Sequence, residues 1–395
     1  MAASQTAAGE LPPIVVVTTF FPNAAFPHRT VFVRNLVRAM GKRAEVEVIA
    51  PVPYAPPAVG VARWQKLRTV AREEQSDGLT IAHPRYVAVP GVDALSGITY
   101  ALSIGRLLRQ RRRARGPFLL HVHCAYPDGV GVAHVARRLG LPYVITAHGS
   151  DINVYAQKKL LRPQIRAAFA GARGVVAVSR ALEAKIGELN AGMPLLRIPC
   201  AGFDPALFTP RDGAAARAKL GIDRDARVVL FVGNLVAVKA VDVLLQAWAA
   251  LGDARARLVI VGDGVDRAAL ETQARALPNV TFLGAIPQAD VAGWFGVANV
   301  LVLPSRHEGM PNVVVESLAS GVPVVASRVG GIPELVDEGT NGLLVEPGNA
   351  PALAQALTSA LGRDWNRETI RASAAHLTWD ALAAKNLEFL ARVAA

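Results

Sequence analysis

The sequence predicts an α/β protein made of two doubly wound domains, and three observations support this fold class. Short, almost wholly apolar runs rich in β-branched residues alternate with amphipathic helical stretches. This alternation stops at a proline-containing connector over residues 199–210 and then starts again. At 395 residues the chain is also longer than one ordinary hydrophobic core needs, so two domains are expected.

The first half contains the strands of one predicted parallel sheet. They are PIVVVTT (13–19), AEVEVIAPV (44–52), FLLHVHCA (118–125), PYVITAHGS (142–150) and GVVAVS (174–179). The helical stretch VGVAHVARRLG joins the third strand to the fourth with the spacing of a β-α-β unit. We therefore assign residues 1–205 to an N-terminal doubly wound domain.

The second half repeats the pattern with six strands separated by helical stretches. They are RVVLFVGN (227–234), ARLVIVGDG (256–264), VTFLGAI (280–286), VLVLPS (300–305), PVVASRVG (323–330) and GLLVEPG (342–348). We assign residues 206–375 to this C-terminal domain. Its strands are apolar at nearly every position, which is typical of a sheet covered by helices on both faces.

Composition excludes several classes of protein. Apolar residues make up 52% of the chain and charged residues 19%, which is typical of a folded globular protein. Cys124 and Cys200 are the only cysteines, too few for a disulfide framework or a zinc cluster. The sequence has no apolar run of 18 residues and no signal-peptide pattern at its start, so we expect a soluble, cytoplasmic protein.

Positive charge is concentrated in the first half of the chain. Residues 1–205 hold 26 Lys+Arg against 12 Asp+Glu, a net charge of +14, whereas residues 206–395 have a net charge of −2. Much of the excess lies in GRLLRQRRRARG (105–116). Three interpretations stay open, namely a solvated helix end, an anionic membrane surface and nucleic acid. Nucleic acid is the least favoured, because no recognised binding motif or stacking surface accompanies the charge.

Ligands of doubly wound sheets bind where the strands end, so the chemistry should lie in the loops after strands and in a cleft between the domains. One such loop is FVGNLVAVKAVD (231–242), in which Lys239 is expected to open the next helix. A glycine turn, free backbone amides and an ammonium group suit a phosphate. A solvated surface lysine is the alternative.

Histidines mark two strands of the first domain. His121 and His123 are two residues apart on one strand, so they share a face, but no acidic partner at ligand spacing supports a metal site. His148 follows the strand PYVIT at a Gly-Ser turn, which places it at the end of the sheet. A neutral imidazole there could bind a substrate hydroxyl. A loop histidine that bonds only to the backbone is the alternative.

The stretch SRHEGMPNVVVESLASGVPVV (305–325) places two glutamates around a helix start. Glu308 lies in the loop after VLVLPS, and Glu316 lies in the helix expected to start near Asn312. Eight residues of helix rise roughly 12 Å, so the two carboxylates should be about 10 Å apart, which is too far for a typical acid/base couple. Two carboxylates without a third ligand also make a poor metal site. The spacing suits a ligand with hydroxyls at both ends and an anion between them, such as a sugar joined to a ribose through a diphosphate.

These residues resemble a known family. RHEGMPNVVVESLASGVPVVASRVGGIPELV is similar to the E-x7-E signature of the retaining nucleotide-sugar glycosyltransferases of family four, which have the two-Rossmann GT-B fold. Other blocks appear in the family's order. They are FFPN…FVRNL, HVHCAYPDG, TAHGSDIN, VVAVS, FDPALFTP, FVGNLVAVK, IVGDG and VTFLGAI. The resemblance therefore covers nearly the whole chain, and it implies that a terminal helix at 376–395 packs back on the first domain.

The resemblance implies catalytic roles for Glu308, Lys239 and His148. Glu308 is expected to bind the donor sugar hydroxyls, and Lys239 to bind the diphosphate and stabilise the leaving group in place of a metal ion. His148 is expected to hold a donor sugar hydroxyl. The implied reaction is transfer with retention of the anomeric configuration and without a metal ion or a separate cofactor, by same-face attack assisted by the departing phosphate.

The resemblance also implies a set of donor-binding residues. Glu316 is expected to bind the ribose, and backbone groups are expected to bind the sugar, the phosphates and the base. The implied donor-binding residues are Gly233, Asn234, Leu283, Gly284, Gly309, Met310, Asn312, Val313 and Glu316. The implied partners are a UDP- or GDP-sugar and a glycan, lipid-linked or small-molecule acceptor, in surface-polysaccharide or glycolipid synthesis. An anionic membrane is a further partner suggested by the basic first half, and no nucleic acid is expected.

The chain departs from the family pattern at three places. Asn234 stands where the family usually has arginine, so diphosphate binding would rest more on Lys239. The usual glycine-rich first loop reads PNAAFPHRTVF, with Thr30 near the expected glycine, and the connector reads CAGFD.

Three other functions remain alternatives. A nucleotide-sugar epimerase would use the same fold, and a degenerate module would bind nucleotide sugars without catalysis. A nucleotide-dependent oxidoreductase has little support, because no G-x-G-x-x-G follows the first strand and GDGVDR (262–267) is only a fragment of that motif.

Overall fold

The computed structural model describes residues 11–27, 29–54, 62–88, 93–189, 192–211 and 213–394. The chain divides into two compact units. The described residues up to Cys200 and from Trp379 onward form unit 1, and Ala201–Thr378 form unit 2. The observed division after Cys200 lies five residues before the boundary placed at 205. His28, within the first loop, lies outside the described residues.

Unit 1 is built on a mostly parallel sheet of eight strands. The strands of unit 1 are β1 (Ile14–Val17), β2 (Val46–Ile49), β3 (Val52–Pro53), β4 (Glu73–Ser76), β5 (Leu79–Ala82), β6 (Arg85–Tyr86), β7 (Leu119–His123), β8 (Tyr143–Ala147), β9 (Gly174–Ala177) and β10 (Leu195–Arg197). Of these, β3 and β6 form a separate parallel pair, and the other eight form the sheet. The strand order is β10-β9-β8-β7-β1-β2-β5-β4, and only β4 is antiparallel to its neighbour. The central strands β1, β7 and β8 are buried at every position, as the apolar runs predict.

The helices of unit 1 cover this sheet. They are α1 (Val31–Gly41), α2 (Ala62–Leu67), α3 (Ser96–Arg115), α4 (Val130–Leu139), α5 (Ser150–Asn153), α6 (Arg162–Ala170) and α7 (Arg180–Leu189). The hairpin β4-β5 is not among the predicted strands, although its turn has a clear signal. Asp77 and Gly78 both adopt positive φ, 54° and 78°, as an Asp-Gly hairpin turn requires.

Unit 2 contains a wholly parallel sheet of six strands. They are β11 (Arg227–Val232), β12 (Ala256–Val261), β13 (Val280–Gly284), β14 (Ala298–Leu303), β15 (Val324–Ser327) and β16 (Gly342–Val345). The order is β13-β12-β11-β14-β15-β16. The helices of unit 2 are α8 (Gly213–Leu220), α9 (Val241–Leu251), α10 (Arg267–Ala274), α11 (Gln288–Phe295), α12 (Asn312–Ala319), α13 (Ala350–Gly362) and α14 (Arg367–Ala374). All six predicted strands of this half are present. The predicted α/β class with two doubly wound domains is confirmed.

The last helix, α15 (Trp379–Ala394), belongs to unit 1, although it follows unit 2 in sequence. It packs on α1, where the Lys42 ammonium lies 3.2 Å from the Asp380 carboxylate. Phe389 and Leu390 are buried on its inner face. Among the described residues, no helix combines the length and the apolar character that crossing a membrane requires.

Thr30, which precedes α1, has a left-handed backbone conformation. Its φ and ψ are 50° and 39°, in the left-handed region, and its buried hydroxyl has no hydrogen-bond partner within the described residues. At this departure from the family pattern, a left-handed threonine leads the chain into α1. Threonine is strained in this conformation, because its branched Cβ crowds the backbone.

Replacing Thr30 by glycine should stabilise the protein by about 1 kcal/mol, because relief of left-handed strain outweighs the added entropy of the unfolded chain. Urea unfolding followed by circular dichroism measures this difference. Thr30→Ala is the matched control, since it also removes the hydroxyl but keeps the strain. A glycine variant less stable than both the alanine variant and the wild type would contradict this account of the turn.

Candidate active site

The candidate site in unit 2 lies at the carboxyl edge of its sheet. The strand order runs outward in opposite directions from the neighbours β11 and β14, so the loops after these two strands meet at a topological switch point. The loop after β11 carries Lys239, and the loop after β14 carries Glu308. The fold therefore brings together two predicted site residues that are 69 positions apart in sequence.

Lys239 and Glu308 form an ion pair at this edge. The Lys239 Nζ lies 2.6 Å from the Glu308 Oε1, and the side chains are 20% and 9% exposed. The same carboxylate oxygen accepts a hydrogen bond of 2.7 Å from the hydroxyl of Ser305, which is fully buried. One carboxylate oxygen of Glu308 thus accepts from an ammonium group and from a hydroxyl group. An incoming anion or hydroxyl oxygen could accept from the same two donors.

The position of Lys239 differs from the prediction in one respect. It does not open α9 but ends a one-turn 3₁₀ helix, Ala237–Lys239, and Ala240 then turns the chain with φ 51° before α9 begins at Val241. A lysine in the first turn of α9 would oppose the helix dipole. Because Lys239 lies in a separate 3₁₀ turn, its ammonium group reaches Glu308 without standing in the first turn of α9.

Arg306 fixes the two loops to each other. Its guanidinium donates to both carboxylate oxygens of Asp242, at 2.7 and 3.1 Å, and to the carbonyl of Ala237. Its backbone amide donates to the carbonyl of Val238 at 2.8 Å. These bonds on either side of Lys239 set the position of the ion pair, because both loops are held by one residue.

Glu316 lies on α12, which begins at Asn312 as predicted, and its side chain points into a buried environment. The residue is 8% exposed, and the Gln288 amide donates to its Oε1 at 3.0 Å. Burial raises the pKa of Glu316 to about 7, while the Gln288 hydrogen bond acts in the opposite direction. The carboxyl group is therefore poised to change charge near neutral pH.

The loop that enters α12 offers unpaired backbone donors. In the described part of the chain, the amides of Gly309, Met310, Asn312 and Val313 make no hydrogen bond, and Pro311 has no N–H. Asn312 uses its side-chain oxygen to accept from the Gly202 amide at 3.3 Å, so it does not cap its own helix. Free amides at a helix start suit an anion or a polar hydroxyl.

Glycines allow close backbone contacts beneath these loops. A Cβ on Gly330, whose φ is 57°, would lie 2.0 Å from the Glu308 carbonyl oxygen, and one on Gly262 would lie 1.9 Å from the Gly233 carbonyl oxygen. The GDG fragment at 262–264 thus has a packing role, which is to let the loops after β11 and β12 touch. It gives no support to an oxidoreductase.

The remaining predicted donor-binding residues lie along the same edge of the sheet. Gly233 directly follows β11, and Asn234 is exposed beside it. Leu283 and Gly284 end β13, where the Gly284 carbonyl accepts from the Gly262 amide at 2.8 Å. The position of Asn234 agrees with a loop open to a ligand, but its amide side chain supplies no positive charge.

In unit 1, His148 lies at the carboxyl end of β8 among other aromatic rings. Its Nε2 is 3.0 Å from His123 Nδ1, and its ring stacks on that of His123 with centroids 5.2 Å apart. Phe20 and Phe32 flank it at 5.7 and 5.3 Å. The Asp151 carboxylate accepts from the backbone amide of His148 at 3.2 Å, which fixes the turn.

The buried histidines are held neutral. Burial lowers the pKa of His148 to about 3 and that of His121 to about 4, and it lowers the pKa of His123 well below its usual range. His121 bonds to the Thr146 hydroxyl at 2.9 Å, so the two strand histidines have separate partners. In the described residues no group of three or more His, Cys, Asp or Glu side chains is arranged to hold a metal ion.

Sequence reasoning did not single out Ser305, Gln288, Arg306 or Asp151, and it gave His123 no part in orienting His148. Ser305 and Arg306 stand beside Glu308 in the quoted signature, so proximity was the available signal for them. Gln288 is 28 residues from Glu316 and carries no pattern that would reveal the contact. Ser305, Gln288 and Asp151 position predicted residues through direct contacts. Arg306 acts through the backbone before Lys239 and through the Asp242 carboxylate after it.

Two doubly wound units, one with an ion pair and free amides at the strand ends, define the GT-B class of glycosyltransferases. Sequence comparison supports this class over both halves of the chain. The sequence model of the family described as "Glycosyltransferase Family 4" matches residues 30–201, and that described as "Glycosyl transferases group 1" matches residues 226–363.

Individual relatives and solved structures agree. The putative teichuronic acid biosynthesis glycosyltransferase TuaC of Bacillus subtilis is 32% identical over 351 residues, covering 87% of this chain and 88% of TuaC. A D-inositol 3-phosphate glycosyltransferase of Thermomonospora curvata is 32% identical, covering 74% and 76% of the two chains. Sucrose-phosphate synthase of Thermosynechococcus elongatus superposes with a TM-score of 0.75 at 21% identity, over 97% of this chain and 99% of that one. Anabaena Alr3699/HepE in complex with UDP superposes with a TM-score of 0.72 at 19% identity, over 96% of this chain and 100% of that one.

The chain belongs to glycosyltransferase family 4. The resemblance found in its sequence is thereby confirmed, and so is the GT-B fold. Transfer of a sugar is the activity that this family membership supports.

Proposed function

We propose that the protein is a metal-independent, retaining glycosyltransferase that moves a sugar from a UDP- or GDP-sugar to an acceptor hydroxyl. The observation that carries this proposal is the Lys239–Glu308 ion pair beside the unpaired amides at the start of α12. These groups offer a cation, a carboxylate and several N–H donors at one sheet edge. A sugar diphosphate needs all three kinds of group.

The proposed role of Lys239 is to bind the diphosphate and to stabilise the charge that develops as the sugar leaves. Before the donor binds, its ammonium is neutralised by Glu308 at 2.6 Å. A diphosphate oxygen would share this ammonium and free part of the Glu308 carboxylate. Electrostatic groups that are already in position stabilise a developing charge without reorganisation.

Glu308 and Glu316 are proposed to bind hydroxyl groups at opposite ends of the donor. Glu308 keeps lone pairs for sugar hydroxyls when Lys239 turns to the phosphate, and Ser305 holds it in place. Glu316, oriented by Gln288, would accept hydrogen bonds from the ribose hydroxyls. The amides of Gly309, Met310, Asn312 and Val313 would bind phosphate and sugar oxygens between the two carboxylates, and Gly233, Asn234, Leu283 and Gly284 would complete the contacts.

For His148 we propose the hydrogen bond to a donor sugar hydroxyl that the family resemblance implies. Its pKa of about 3 supports a neutral ring, which can donate or accept but does not titrate near pH 7. The contact with His123 Nδ1 fixes the ring plane and leaves the buried His148 Nδ1 without a partner in the described residues. His148 would then act as an oriented hydrogen-bonding group and not as an acid or base.

The acceptor is proposed to be a glycan, a lipid-linked sugar or a small polar molecule. TuaC is named for teichuronic acid biosynthesis, and other relatives are named D-inositol 3-phosphate glycosyltransferase. The first name supports synthesis of a surface polysaccharide, and the second supports a small acceptor. The nucleotide-diphosphate donor is supported by complexes of Alr3699/HepE with UDP and with UDP-glucose. The enzyme is proposed to act in the cytoplasm, at the inner face of the cell membrane.

The test uses slow donor hydrolysis, which needs no acceptor. A thermal-shift screen over UDP-glucose, UDP-galactose, UDP-N-acetylglucosamine and GDP-mannose first selects the donor, because a bound ligand stabilises the fold. Proton NMR then identifies the anomer released before mutarotation. We expect the α anomer from the α-linked donor, at the same rate with and without EDTA.

Other products would identify other functions. Release of the β anomer would show inversion, and loss of activity in EDTA with recovery on adding Mg²⁺ would show a metal requirement. An epimerised sugar would point to an epimerase. Donor binding without turnover, with or without candidate acceptors, would leave only a binding module.

A further inference from the structure

A cavity of about 550 Å³ lies in unit 1 beside the separate strand pair β3-β6. The end of β3, the start of β6 and the segment that joins α2 to β4 form its walls, and we call it the arginine pocket. Six of its lining residues carry the argument. They are Tyr54, Leu67, Arg68, Val70, Arg72 and Arg85. The volume is typical of sites for small molecules. No aspartate or glutamate is among the described residues that line the pocket, so its charge is of one sign.

The guanidinium group of Arg85 is half-buried and is held by neutral partners. It donates to the backbone carbonyl of His83 at 3.4 Å and to that of Val70. Burial lowers the pKa of Arg85, and the positive charge of Arg72 lowers it further. The two guanidinium groups are therefore close enough to repel each other. A bound anion would relieve that repulsion.

The other two arginines of the pocket are not used by the fold. Arg68 and Arg72 are exposed and have no ion-pair partner in the described parts of the chain. Glu73 and Glu74 follow on β4, but Glu74 lies 3.2 Å from His83 Nε2, and neither carboxylate is within ion-pair distance of these arginines. Both cations are available to a ligand in the pocket.

Apolar groups complete the arginine pocket. Leu67 and Val70 are buried and form a small cluster with Val52, whereas Tyr54 is 48% exposed. The backbone amide of Tyr54 donates to the Tyr86 carbonyl at 2.7 Å, which fixes the residue at the end of β3. A ligand would thus meet an aromatic ring and an apolar floor beside the guanidinium groups. A sugar ring suits this combination, because it has C–H groups on its faces and polar groups at its edge.

The arginine pocket lies at the same edge of the unit 1 sheet as His148. The pair β3-β6 continues beyond the carboxyl ends of β2 and β5, and His148 follows the carboxyl end of β8. In the strand order, β2 and β5 are three and four places from β8. At about 4.8 Å between neighbouring strands, the pocket is roughly 15 to 20 Å from His148 along this edge. One extended molecule of a few sugar rings could reach both.

We propose that the arginine pocket binds a sugar carrying a carboxylate or a phosphate group, and that this sugar is a distal part of the acceptor. The guanidinium groups bind the oxyanion through paired N–H donors, and Tyr54 packs against the sugar ring. The inference rests on the proposed function, because it assumes that a sugar is transferred to an acceptor. It narrows that acceptor to an acidic glycan.

Other anionic ligands fit the pocket less well. A single-stranded nucleic acid needs a basic groove with several stacking rings, whereas Tyr54 is the one aromatic residue among the described lining residues. The donor diphosphate has its own proposed site beside Lys239 in unit 2. A free oxyanion such as inorganic phosphate would use the arginines but not the tyrosine or the apolar floor.

NMR titration of the full chain with D-glucuronate and with D-glucose 6-phosphate tests the pocket. Both probes should bind at least about tenfold more tightly than D-glucose, which is the effect of one charge-assisted hydrogen bond. Arg68→Gln combined with Arg72→Gln should weaken binding of both probes by about tenfold or more. Arg106→Gln combined with Arg109→Gln is the matched control. It removes the same charge from exposed positions of α3 in the same unit and should bind like the wild type.

All four substitutions change exposed side chains, so the thermal midpoint and the rate of donor hydrolysis should stay at wild-type values. Equal weakening in the two double variants would overturn the pocket, since it would show that the overall charge attracts the probes. Inorganic phosphate binding as tightly as D-glucose 6-phosphate would overturn the assignment of a sugar.

The acceptor role is tested with pairs of oligosaccharides, each an acidic chain and its carboxyl-reduced form. The wild type should use the acidic member with a KM at least about tenfold lower. The Arg68 and Arg72 double variant should lose this preference with kcat unchanged, because the pocket contributes only uniform binding. A lower KM for the neutral member, or probe binding without transfer to any acidic member, would overturn the acceptor role. Donor hydrolysis separates this result from the proposed function, which fails if the wild type hydrolyses no donor even though the probes bind.

Discussion

Replacing Lys239 by alanine should lower kcat for sugar transfer or donor hydrolysis by about 100- to 1,000-fold, the usual cost of removing one preorganised electrostatic group. The reason is that this ammonium is the cation already placed at the sheet edge, 2.6 Å from Glu308, and Asn234 beside it supplies no charge. Release of the nucleotide diphosphate at saturating donor measures the effect. Lys219→Ala, an exposed lysine of α8 in the same unit, is the matched control and should keep the wild-type rate.

A double-mutant cycle with Glu308 separates catalysis from stability. Lys239→Met leaves a 9%-exposed carboxylate without its cation, so we expect a loss of stability of about 1 to 3 kcal/mol. Adding Glu308→Gln to Lys239→Met should recover part of that stability, because the uncompensated charge is gone. The catalytic rate should not recover, since both donor contacts are then missing.

The outcome that contradicts this role is simple to recognise. If Lys239→Ala retains a rate within threefold of wild type while the cycle still shows coupling in stability, the ion pair is structural. If rate and stability recover together in the double variant, the loss of activity came from misfolding. The proposed function of Lys239 is supported only if the catalytic rate stays low in the double variant although its stability has recovered.

Glu316 should make the stability of the protein pH-dependent. Burial raises its pKa from 4.5 to about 7, so the folded protein holds a proton that the unfolded chain has already released. Its stabilising contribution is complete below about pH 4.5 and is lost as the pH rises through about 7. Relative to Glu316→Gln, the wild type should lose up to about 3 kcal/mol of unfolding free energy across this window.

Urea unfolding of the two proteins from about pH 4.5 to about pH 8 measures that difference. Asp128 in unit 1 also has a pKa raised by burial to about 7, but it is present in both proteins and cancels in the comparison. We expect the difference in unfolding free energy between wild type and variant to change steadily as the pH rises from about 4.5 to about 7. A difference that does not depend on pH would show that Glu316 is ionised throughout.

The same carboxyl group should control nucleotide recognition. An ionised carboxylate accepts stronger hydrogen bonds from ribose hydroxyls than a neutral one. The preference for UDP or GDP over the corresponding 2′,3′-dideoxy nucleotide should therefore rise by about tenfold as Glu316 ionises. Glu316→Gln should show a small preference at every pH. Using the ratio of two nucleotides removes the effect of diphosphate ionisation, which both share. A constant ratio in the wild type would contradict contact between Glu316 and the ribose.

The parts of the fold that could be predicted are those with an unambiguous pattern. Strands such as β1, β8 and β11 are buried on both faces, so their sequences are continuous apolar runs. The short strands β3, β6 and β10 and the half-exposed hairpin β4-β5 have no such run, and none of them was predicted. The start of α12 at Asn312 was predicted because Gly-Met-Pro ends the preceding loop and valines follow.

The sequence singled out candidate site residues segment by segment, but it did not show which segments meet. Glu308 and Glu316 stand in one signature. Their partners, Lys239 in the 3₁₀ turn and Gln288 at the start of α11, are 69 and 28 residues away. Pairing across such distances depends on the strand order, which places β11 next to β14, and local patterns do not specify it. The 3₁₀ turn of Lys239 is likewise fixed by Arg306 from another loop. For this reason the sequence singled out individual residues but not the contacts between them.

The place of α15 has a consequence for synthesis on the ribosome. The chain leaves unit 1 after Cys200 and returns to it at Trp379, so unit 1 lacks its last helix until all of unit 2 has been translated. At roughly 5 to 20 residues per second, that interval lasts about 10 to 35 s. During it, the surface that will receive Phe389, including the edge of Gly174, remains uncovered. Unit 2 is contiguous and can finish first, which makes the later half of this protein the earlier to mature.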